Sequence, residues 1–231
     1  MHSMYSFDSF VSPEKIIKTA QKKNLDGVAI TDHGTIRGGL HAKKIKSDIV
    51  TIIGSEVKTE IGDLIGLFLN EEIKSCGIWD VIEEIRDQDG IIVIPHPFRS
   101  NRTDFDHELI RKIDAIEGYN ARTELKKNIQ AQDFAKLHDL PVTAGSDAHF
   151  SREIGLARTI MDPISSEEDI RKSITSGNMH IEGTPAPLYF RGASRLVTDF
   201  KAGEWYRLPY TFYKISLKGA KSFSSRYKGR Q

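Results

Sequence analysis

The sequence of 231 residues has little cysteine and no long hydrophobic segment. Its single cysteine, Cys76, excludes an intramolecular disulfide framework and a zinc site built from thiolates. The longest apolar runs, such as Gly90–Ile94, are too short to cross a bilayer, and the polar first twenty residues lack the apolar core of a secretion signal. We therefore expect a cytoplasmic protein that has no membrane association.

The chain as a whole also lacks an excess of positive or negative charge, because its formal net charge is only +1. Residues 187–231 nevertheless carry ten Lys/Arg and two Asp/Glu, so this segment has a net charge of +8 and the rest of the chain −7. We divide the chain into a domain at 1–186 and a basic, aromatic-containing extension at 187–231, in which we find no clear period. Such a segment favours contact with a polyanion, whereas a merely solvated tail is the plainer alternative.

Short apolar runs alternate with helical patterns along residues 1–186. Ser12 and Pro13 predict the start of a helix, and Ile78, Val81, Ile82 and Ile85 have the spacing of an amphipathic one. Further helices are predicted over about 122–137 and from a Ser165–Glu168 capping box to Gly177. The predicted strands lie at 27–31, 52–53, 63–69, 90–94, 113–116, 141–144 and 157–161. This alternation predicts an α/β fold with a parallel sheet covered by helices, and the number of strands suits a barrel.

Histidine and carboxylate side chains follow these strands. They are Asp32 and His33, Glu56, His96, Glu117, and the pair Asp147 and His149. Because the carboxyl ends of strands in an α/β barrel meet on one face, five separate segments would deliver these groups to the same place. Taken singly, each is more often a structural histidine, a helix cap or an exposed loop acid. Their joint occurrence predicts a metal site, and His2 and Asp8 join it if the N-terminal segment packs alongside.

The types of ligand narrow the choice of metal. Imidazoles and carboxylates without thiolate suit zinc, manganese or iron. The ligands are too many for one ion, so we expect two or three divalent ions close together, with a carboxylate bridging them. Such a cluster can lower the pKa of a bound water and clamp two oxygens of a phosphoryl group.

Five segments in order, MHSMYSFDS, AITDHGT, GSEV, IPHPF and AGSDAH, resemble the PHP (polymerase and histidinol phosphatase) superfamily over roughly residues 1–185. The resemblance implies a distorted, TIM-like (β/α)7 barrel and a stand-alone metal-dependent phosphoesterase. It also implies ligand sets for three ions: Asp8, His33 and His149 for one, His2, Glu56 and Asp147 for another, and Glu56 and His96 for the third.

The sequence departs from that family pattern at two positions. Asp63 stands where many members have a histidine, which shifts the expected preference from zinc toward manganese or magnesium. The first histidine of the opening pair is missing, because Met1 directly precedes His2. We therefore expect that the first strand is truncated here and that the natural chain begins several residues upstream.

The predicted reaction is hydrolysis of a phosphomonoester, or of a nucleotide or oligonucleotide phosphodiester, by a hydroxide activated on the metal cluster. The partner is then a phosphorylated small molecule or nucleotide. Arg122 is the first candidate to hold the phosphate and Arg99 the second. Either His33 or His149 would protonate the leaving group. Glu117 and Asp32 are expected to orient the ligands.

Two other function classes stay open. One is a non-catalytic, metal-stabilised module that binds single-stranded nucleic acid or another partner through the basic extension, where aromatic residues stand among Lys and Arg. The other is an amidohydrolase, because related metal barrels cleave amides. Substrate identity, the number of ions and the oligomeric state do not follow from the sequence.

Overall fold

A computed structural model describes residues 1–100, 105–163 and 166–216. Helices and strands alternate along much of this chain. In order they are α1 (Pro13–Lys22), β1 (Gly27–His33), α2 (Arg37–Lys43), β2 (Val50–Thr59), β3 (Gly62–Leu67), α3 (Ile78–Asp87), β4 (Ile91–Ile94), α4 (His107–Ile110), β5 (Ala115–Asn120), α5 (Leu125–Leu137), β6 (Val142–Gly145), β7 (Ala157–Met161), α6 (Glu167–Ser176), β8 (Met179–Gly183) and α7 (Tyr189–Lys201).

The first six strands form one curled sheet in sequential order from β1 to β6. The pairs β1–β2, β4–β5 and β5–β6 are parallel, as the strand–helix alternation predicts. Strand β3 is antiparallel to both of its neighbours, which corrects the expectation of an all-parallel sheet. The cause is a tight hairpin: Thr59 pairs with Gly62, so only two residues join β2 to β3, and a parallel crossover needs many more.

Strands β7 and β8 form a separate antiparallel pair beside this sheet. The described residues therefore show a curled half-barrel rather than the seven-stranded β/α barrel implied by the family resemblance. Backbone bonds of the first two residues reach both edges of the six-stranded sheet. Thr31 N in β1 donates to Met1 O at 2.9 Å, and His2 N donates to Ala148 O at 2.8 Å, just beyond β6.

The periodicity of apolar residues in the sequence correctly predicted which face of α3 is buried in the core. Ile78, Val81, Ile82 and Ile85 are all buried on α3 and pack into one hydrophobic cluster with the sheet. Helix α1 begins as predicted, with the Ser12 side chain accepting a hydrogen bond from Lys15 N at 3.3 Å. Each buried aliphatic side chain of this kind contributes about 1.5–3 kcal/mol, so these helix faces fix the position of the strands beneath them.

The start of α6 differs from its prediction. The capping side chain belongs to Ser166, which accepts from Asp169 N at 3.2 Å, and Ser165 lies outside the described residues. The helix stops at Gly177, as expected, with a φ of 72° that glycine adopts without strain.

The segment after Ala186 contains a helix that sequence periodicity did not reveal. Helix α7 buries Phe190, Ser194 and Val197, which are spaced four and three residues apart. Because one of the three is a serine, the apolar pattern is broken and the helix escapes notice. The Phe190 ring stacks on Phe150, with centroids 5.4 Å apart, so this part of the proposed extension packs against the domain. Residues 208–216 are helical as well, and 217–231 lie outside the described residues.

Within the parts of the chain that the structure describes, no helix combines the length and hydropathy that a bilayer span requires.

Candidate metal centre

The carboxyl ends of the parallel strands bring the predicted polar residues to one edge of the sheet. His33 ends β1 and pairs in register with Glu56 of β2, so the two side chains start from adjacent strands. His96 follows β4, and Asp147 follows β6. Asp63 is the second residue of β3, and because that strand runs in the opposite direction, its start lies at the edge where the others end. The antiparallel direction of β3 thus places the Asp63 carboxylate at this edge, whereas a parallel strand would place its first residues at the opposite edge of the sheet.

Eight predicted ligands fall into three groups, in each of which one ligand atom per residue lies within 4.8 Å of the others. The groups are His2, Asp8, His33 and His149; His2, Glu56 and Asp147; and Glu56, Asp63 and His96. His2 belongs to the first two groups and Glu56 to the last two. The three candidate ion positions are therefore contiguous, and they match the division that the family resemblance implies, with His2 added to the first group and Asp63 to the third.

Imidazole–carboxylate contacts connect the members of each group. In the first, His149 Nε2 lies 2.6 Å and His33 Nε2 lies 3.4 Å from the same Asp8 oxygen. In the second, His2 Nε2 lies 3.3 Å from Glu56 Oε2 and 3.2 Å from Asp147 Oδ1. The side chains of the second group are almost fully buried, whereas that of His33 in the first is 24% exposed.

The third group is more open. His96 Nε2 lies 3.2 Å from Glu56 Oε1 and 4.0 Å from Asp63 Oδ2. The Asp63 side chain is 32% exposed, whereas that of Glu56 is only 4% exposed. The centre is therefore buried around His2, Glu56 and Asp147, whereas solvent or a substrate can reach it at Asp63 and His33.

The pKa values of His2, Glu56 and Asp147 are shifted because these charged groups lie close together. Burial opposes a charged imidazole, but hydrogen bonds to Asp147 and Glu56 raise the pKa of His2 to about 9. Burial likewise opposes ionised Glu56 and Asp147, yet the contacts of Glu56 with His2 and of Asp147 with Arg99 and His2 hold their pKa values well below the usual range. Buried carboxylates that need cationic neighbours to this degree are suited to divalent ions.

Comparisons with known proteins agree with this geometry. Residues 126–179 match the family model described as PHP-associated, a span that contains Asp147 and His149. A two-domain protein from Bacteroides vulgatus, described as containing a predicted PHP-like metal-dependent phosphoesterase, has a similar fold, with a TM-score of 0.64 at 21% identity. The likeness covers 80% of this chain and 63% of that chain. The match over residues 126–179 and this shared fold support membership of the PHP superfamily.

Two uncharacterised proteins of Methanocaldococcus jannaschii are similar in sequence to this chain. One is 47% identical over 94 residues, which cover 39% of this chain and 55% of that protein. The other is 31% identical over 167 residues, which cover 68% of this chain and 66% of that protein. The chain thus spans between half and two thirds of the length of these relatives.

A further fold match is an amidohydrolase from Chromobacterium violaceum, solved with bound sulfate and no metal. It is 16% identical with a TM-score of 0.53, and the match covers 84% of this chain and 94% of that chain. At these identities the solved structures establish the fold that this chain shares with them, and no more than the fold.

Backbone strain coincides with two of the candidate ligands. His96 has a φ of 32° and Asp147 a φ of 49°, values that residues other than glycine seldom adopt. Such conformations cost on the order of 1–3 kcal/mol each and persist where the surroundings enforce them. Here they turn the side chains of His96 and Asp147 toward the centre at the point where each strand ends.

Glu117 supports the centre from behind. Its Oε2 accepts hydrogen bonds from His96 N and from Asn120 Nδ2, both at 3.0 Å. Burial raises the pKa of Glu117, against the opposing effect of the His96 charge. A Cβ atom at Gly145 would lie 1.7 Å from Glu117 Oε1, so only glycine fits there. Glu117 therefore contacts the backbone of a candidate ligand, in line with its predicted orienting role.

Asp32 has a different neighbour. It is fully buried, and its Oδ2 accepts a hydrogen bond from Ser3 Oγ at 2.6 Å. Its contacts thus fix the residue next to His2, so it acts on the position of the N-terminal segment.

The two candidate phosphate-binding arginines are placed differently. Arg122, the first choice from sequence, is buried and forms a bidentate pair with Glu153, with Nε–Oε1 at 2.7 Å and Nη2–Oε2 at 3.0 Å. Arg99 is 32% exposed and contacts Asp147 directly, while its Nη2 donates to Asn120 Oδ1 at 2.7 Å. The geometry therefore favours Arg99 over Arg122 as the residue that meets a ligand at the centre.

Sequence reasoning missed several residues that hold this arrangement together. Glu153 is completely buried, and its Oε2 accepts from His149 N at 3.0 Å besides pairing with Arg122. Ser9 Oγ donates to His2 O at 3.1 Å and to His149 O at 3.0 Å. Glu153 follows His149 by four residues, a short-range spacing that could have suggested a contact. Nothing in the spacing of Ser9 points to a residue 140 positions away.

Proposed function

We propose that this PHP protein hydrolyses phosphate esters at a cluster of two or three divalent ions. The observation that carries the proposal is the sharing of His2 and Glu56 among three ligand groups, which would hold neighbouring ions rather than isolated ones. Neighbouring ions suit phosphoryl transfer, where two oxygens must be neutralised at once. A single structural ion would need only one of these groups.

The donor set fits borderline and hard divalent cations. It consists of imidazole nitrogens and carboxylate oxygens, and the only cysteine, Cys76, is exposed and outside the groups. Zinc, manganese and iron accept such mixed ligands, and the more exposed Asp63 adds an oxygen donor that manganese and magnesium favour. Ions bound here would lower the pKa of a coordinated water and offset the negative charge of a phosphoryl group.

Residues of the chain itself supply the remaining functions. Arg99, which contacts Asp147 and is 32% exposed, would donate a hydrogen bond to a phosphoryl oxygen. Between the two predicted proton donors, His33 is the better placed. Its side chain is 24% exposed, whereas His149 Nδ1 lies 2.8 Å from Asp147 O and Nε2 lies 2.6 Å from Asp8. His149 is committed through both ring nitrogens, so it would serve as a ligand.

The amidohydrolase alternative retains support from the fold match with the Chromobacterium violaceum protein. The nucleic-acid-binding alternative draws only on the charge and aromatic content of residues 187–231, of which 217–231 lie outside the described residues. Both alternatives need a measurement that separates them from phosphate ester hydrolysis.

Turnover by the reconstituted full chain tests the proposal. Metal-free protein would be supplied with Mn²⁺ or Zn²⁺ and assayed with p-nitrophenyl phosphate, bis(p-nitrophenyl) phosphate and an acyl p-nitroanilide. We expect hydrolysis of a phosphate ester, and a loss of more than about 100-fold in Asp147→Asn. Asp133→Asn, an exposed change on α5, is the matched control. Hydrolysis of the anilide alone, or unchanged phosphatase turnover in Asp147→Asn, would refute the proposal.

A further inference from the structure

A basic cleft opens beside the candidate metal centre. It has a volume of about 470 Å³ and is lined by Arg99, Arg122, Lys126, Lys127 and Arg191, together with the single acid Glu124. Three separate parts of the chain supply these cations: the loop after β4, the connection from β5 into α5, and α7. Positive charge from all three converges on one concave surface.

Two of these cations are already matched by acids. Arg122 is paired with buried Glu153, and Lys126 Nζ lies 3.4 Å from Glu124 Oε2. Arg99 contacts Asp147, but Asp147 is also a candidate metal ligand, so a bound ion would share that carboxylate. Arg99 would then stand next to a divalent cation, an arrangement that is unfavourable unless an anion lies between them.

Arg191 has no carboxylate of its own. Within residues 1–100, 105–163 and 166–216, no Asp or Glu oxygen lies within 4.0 Å of its guanidinium, which donates instead to the backbone oxygen of Arg122. Partial burial and the nearby charge of Arg99 lower the pKa of Arg191, so its neighbours work against its charge. Lys127, which also lines the cleft, is likewise without an ion pair among the described residues.

We propose that this cleft binds a second oxyanion of the substrate, a phosphate or a carboxylate, while the scissile phosphate lies at the metal centre. This inference rests on the proposed function and deepens it, because it assigns the substrate to the class of phosphate esters that carry an additional anionic group. Arg191 is the specificity-determining residue, since its planar guanidinium can form two parallel hydrogen bonds to such a group. Arg99 lies between the two anions.

A matched substrate series tests this assignment. Propyl phosphates that end in a hydroxyl, a carboxylate or a second phosphate would be compared with the Mn²⁺-loaded or Zn²⁺-loaded full chain. We expect kcat/KM to be at least about tenfold higher for one or both anionic substrates than for the hydroxyl compound. The end group that gives the larger gain identifies the anion. Equal kcat/KM values for all three compounds would overturn the proposal.

Two variants on α7 test whether Arg191 is responsible for the preference for anionic substrates. Arg191→Gln is expected to raise KM for the preferred anionic substrate by about tenfold, with kcat and the turnover of the hydroxyl compound little changed. Arg195→Gln removes a positive charge from the same helix at a residue that pairs with Asp199, at 3.3 Å, and does not line the cleft. It should keep the preference. Loss of the preference in both variants would indicate a general charge effect and would refute the role of Arg191.

A binding measurement separates this inference from the proposed function. Calorimetric titration of the metal-free full chain with methylenediphosphonate and with methylphosphonate needs no turnover. We expect tighter binding of the bisphosphonate, and its loss in Arg191→Gln but not in Arg195→Gln. That result would support the cleft even if no phosphate ester were hydrolysed. Equal affinity of the two phosphonates for the unaltered chain would count against it even if hydrolysis were observed.

Discussion

Lys201, the last residue of α7, donates a hydrogen bond from Nζ to the backbone oxygen of Ser9 at 2.6 Å. The same ammonium donates to Ser6 O at 2.7 Å and to Met4 O at 2.8 Å. Residues 4–9 form the loop that presents Asp8, a candidate ligand, to the metal centre. A helix near the C-terminal end of the described chain thus holds the N-terminal part of the site.

Lys201→Met is expected to destabilise the protein by about 1–2 kcal/mol, because three charge-assisted hydrogen bonds to carbonyls are lost. It should also weaken binding at the position formed by Asp8, His33 and His149 more than at the other two. Denaturant unfolding and metal titration would measure the two effects. Lys172→Met, on the exposed side of α6, serves as the control. Metal binding as tight as in the unaltered chain would show that the Lys201 contacts do not position Asp8.

The buried pair of Arg122 and Glu153 offers a test of its structural role. Glu153→Gln leaves the Arg122 guanidinium buried without a counter-charge, so we expect a loss of about 3–5 kcal/mol in the free energy of unfolding. Combining it with Arg122→Met should recover part of that loss, since the unpaired charge is then removed. Denaturant titrations of both single variants and the double variant provide the measurement. Strictly additive effects would contradict a direct interaction between the two side chains.

The sharing of ligands predicts unequal losses of metal. Glu56 belongs to two groups, so Glu56→Gln should reduce the bound metal at two positions. Asp63 belongs to one group and is the most exposed member of it, so Asp63→Asn should affect at most one ion. Elemental analysis of protein reconstituted with Mn²⁺ or Zn²⁺ would count the ions. Equal losses in the two variants would argue against a bridging position for Glu56.

Metal binding should release a proton at neutral pH. In the metal-free protein, hydrogen bonds to Asp147 and Glu56 raise the pKa of His2 from 6.5 to about 9, in spite of its burial. A cation must displace that proton, so apparent affinity is expected to rise as the pH increases toward 9. Calorimetry in buffers of different ionisation enthalpy measures the protons released. The number should fall when His2 is replaced in His2→Gln.

The same shift makes the stability of the metal-free protein depend on pH. A pKa raised on folding contributes stability that is complete below pH 6.5 and is lost as the pH rises through about 9. The free energy of unfolding should therefore decline over this interval in the unaltered chain, with a smaller decline in His2→Gln. Urea titrations at several pH values test this. A flat profile for the unaltered chain would mean that His2 is not protonated between the two carboxylates.

Local sequence patterns predicted the elements that depend on local physics. The buried face of α3 and the N-terminal cap of α1 follow from residue spacing and side-chain type, and the structure contains both. The gathering of His33, Glu56, His96 and Asp147 at one edge followed from the rule that parallel strands end together, combined with the family resemblance. Their role as metal ligands stays a prediction.

Two kinds of feature could not be predicted from the sequence: the direction of a strand, and contacts between residues that are far apart along the chain. The apolar run of β3 has the same composition whichever way the strand runs, and only the two-residue turn before Gly62 sets its direction. Arg122 looked available because its partner, Glu153, is 31 positions away. Lys201 is 192 positions from Ser9, and no periodicity links the two.

The contacts of Lys201 also have a consequence for biosynthesis. His2 and Asp8 emerge from the ribosome before the other candidate ligands, whereas Lys201 emerges after all of them. The loop that carries Asp8 thus stays unanchored on a nascent chain until α7 has formed. Loading of the centre is accordingly expected late in maturation, once the two distant ends of the described polypeptide have met.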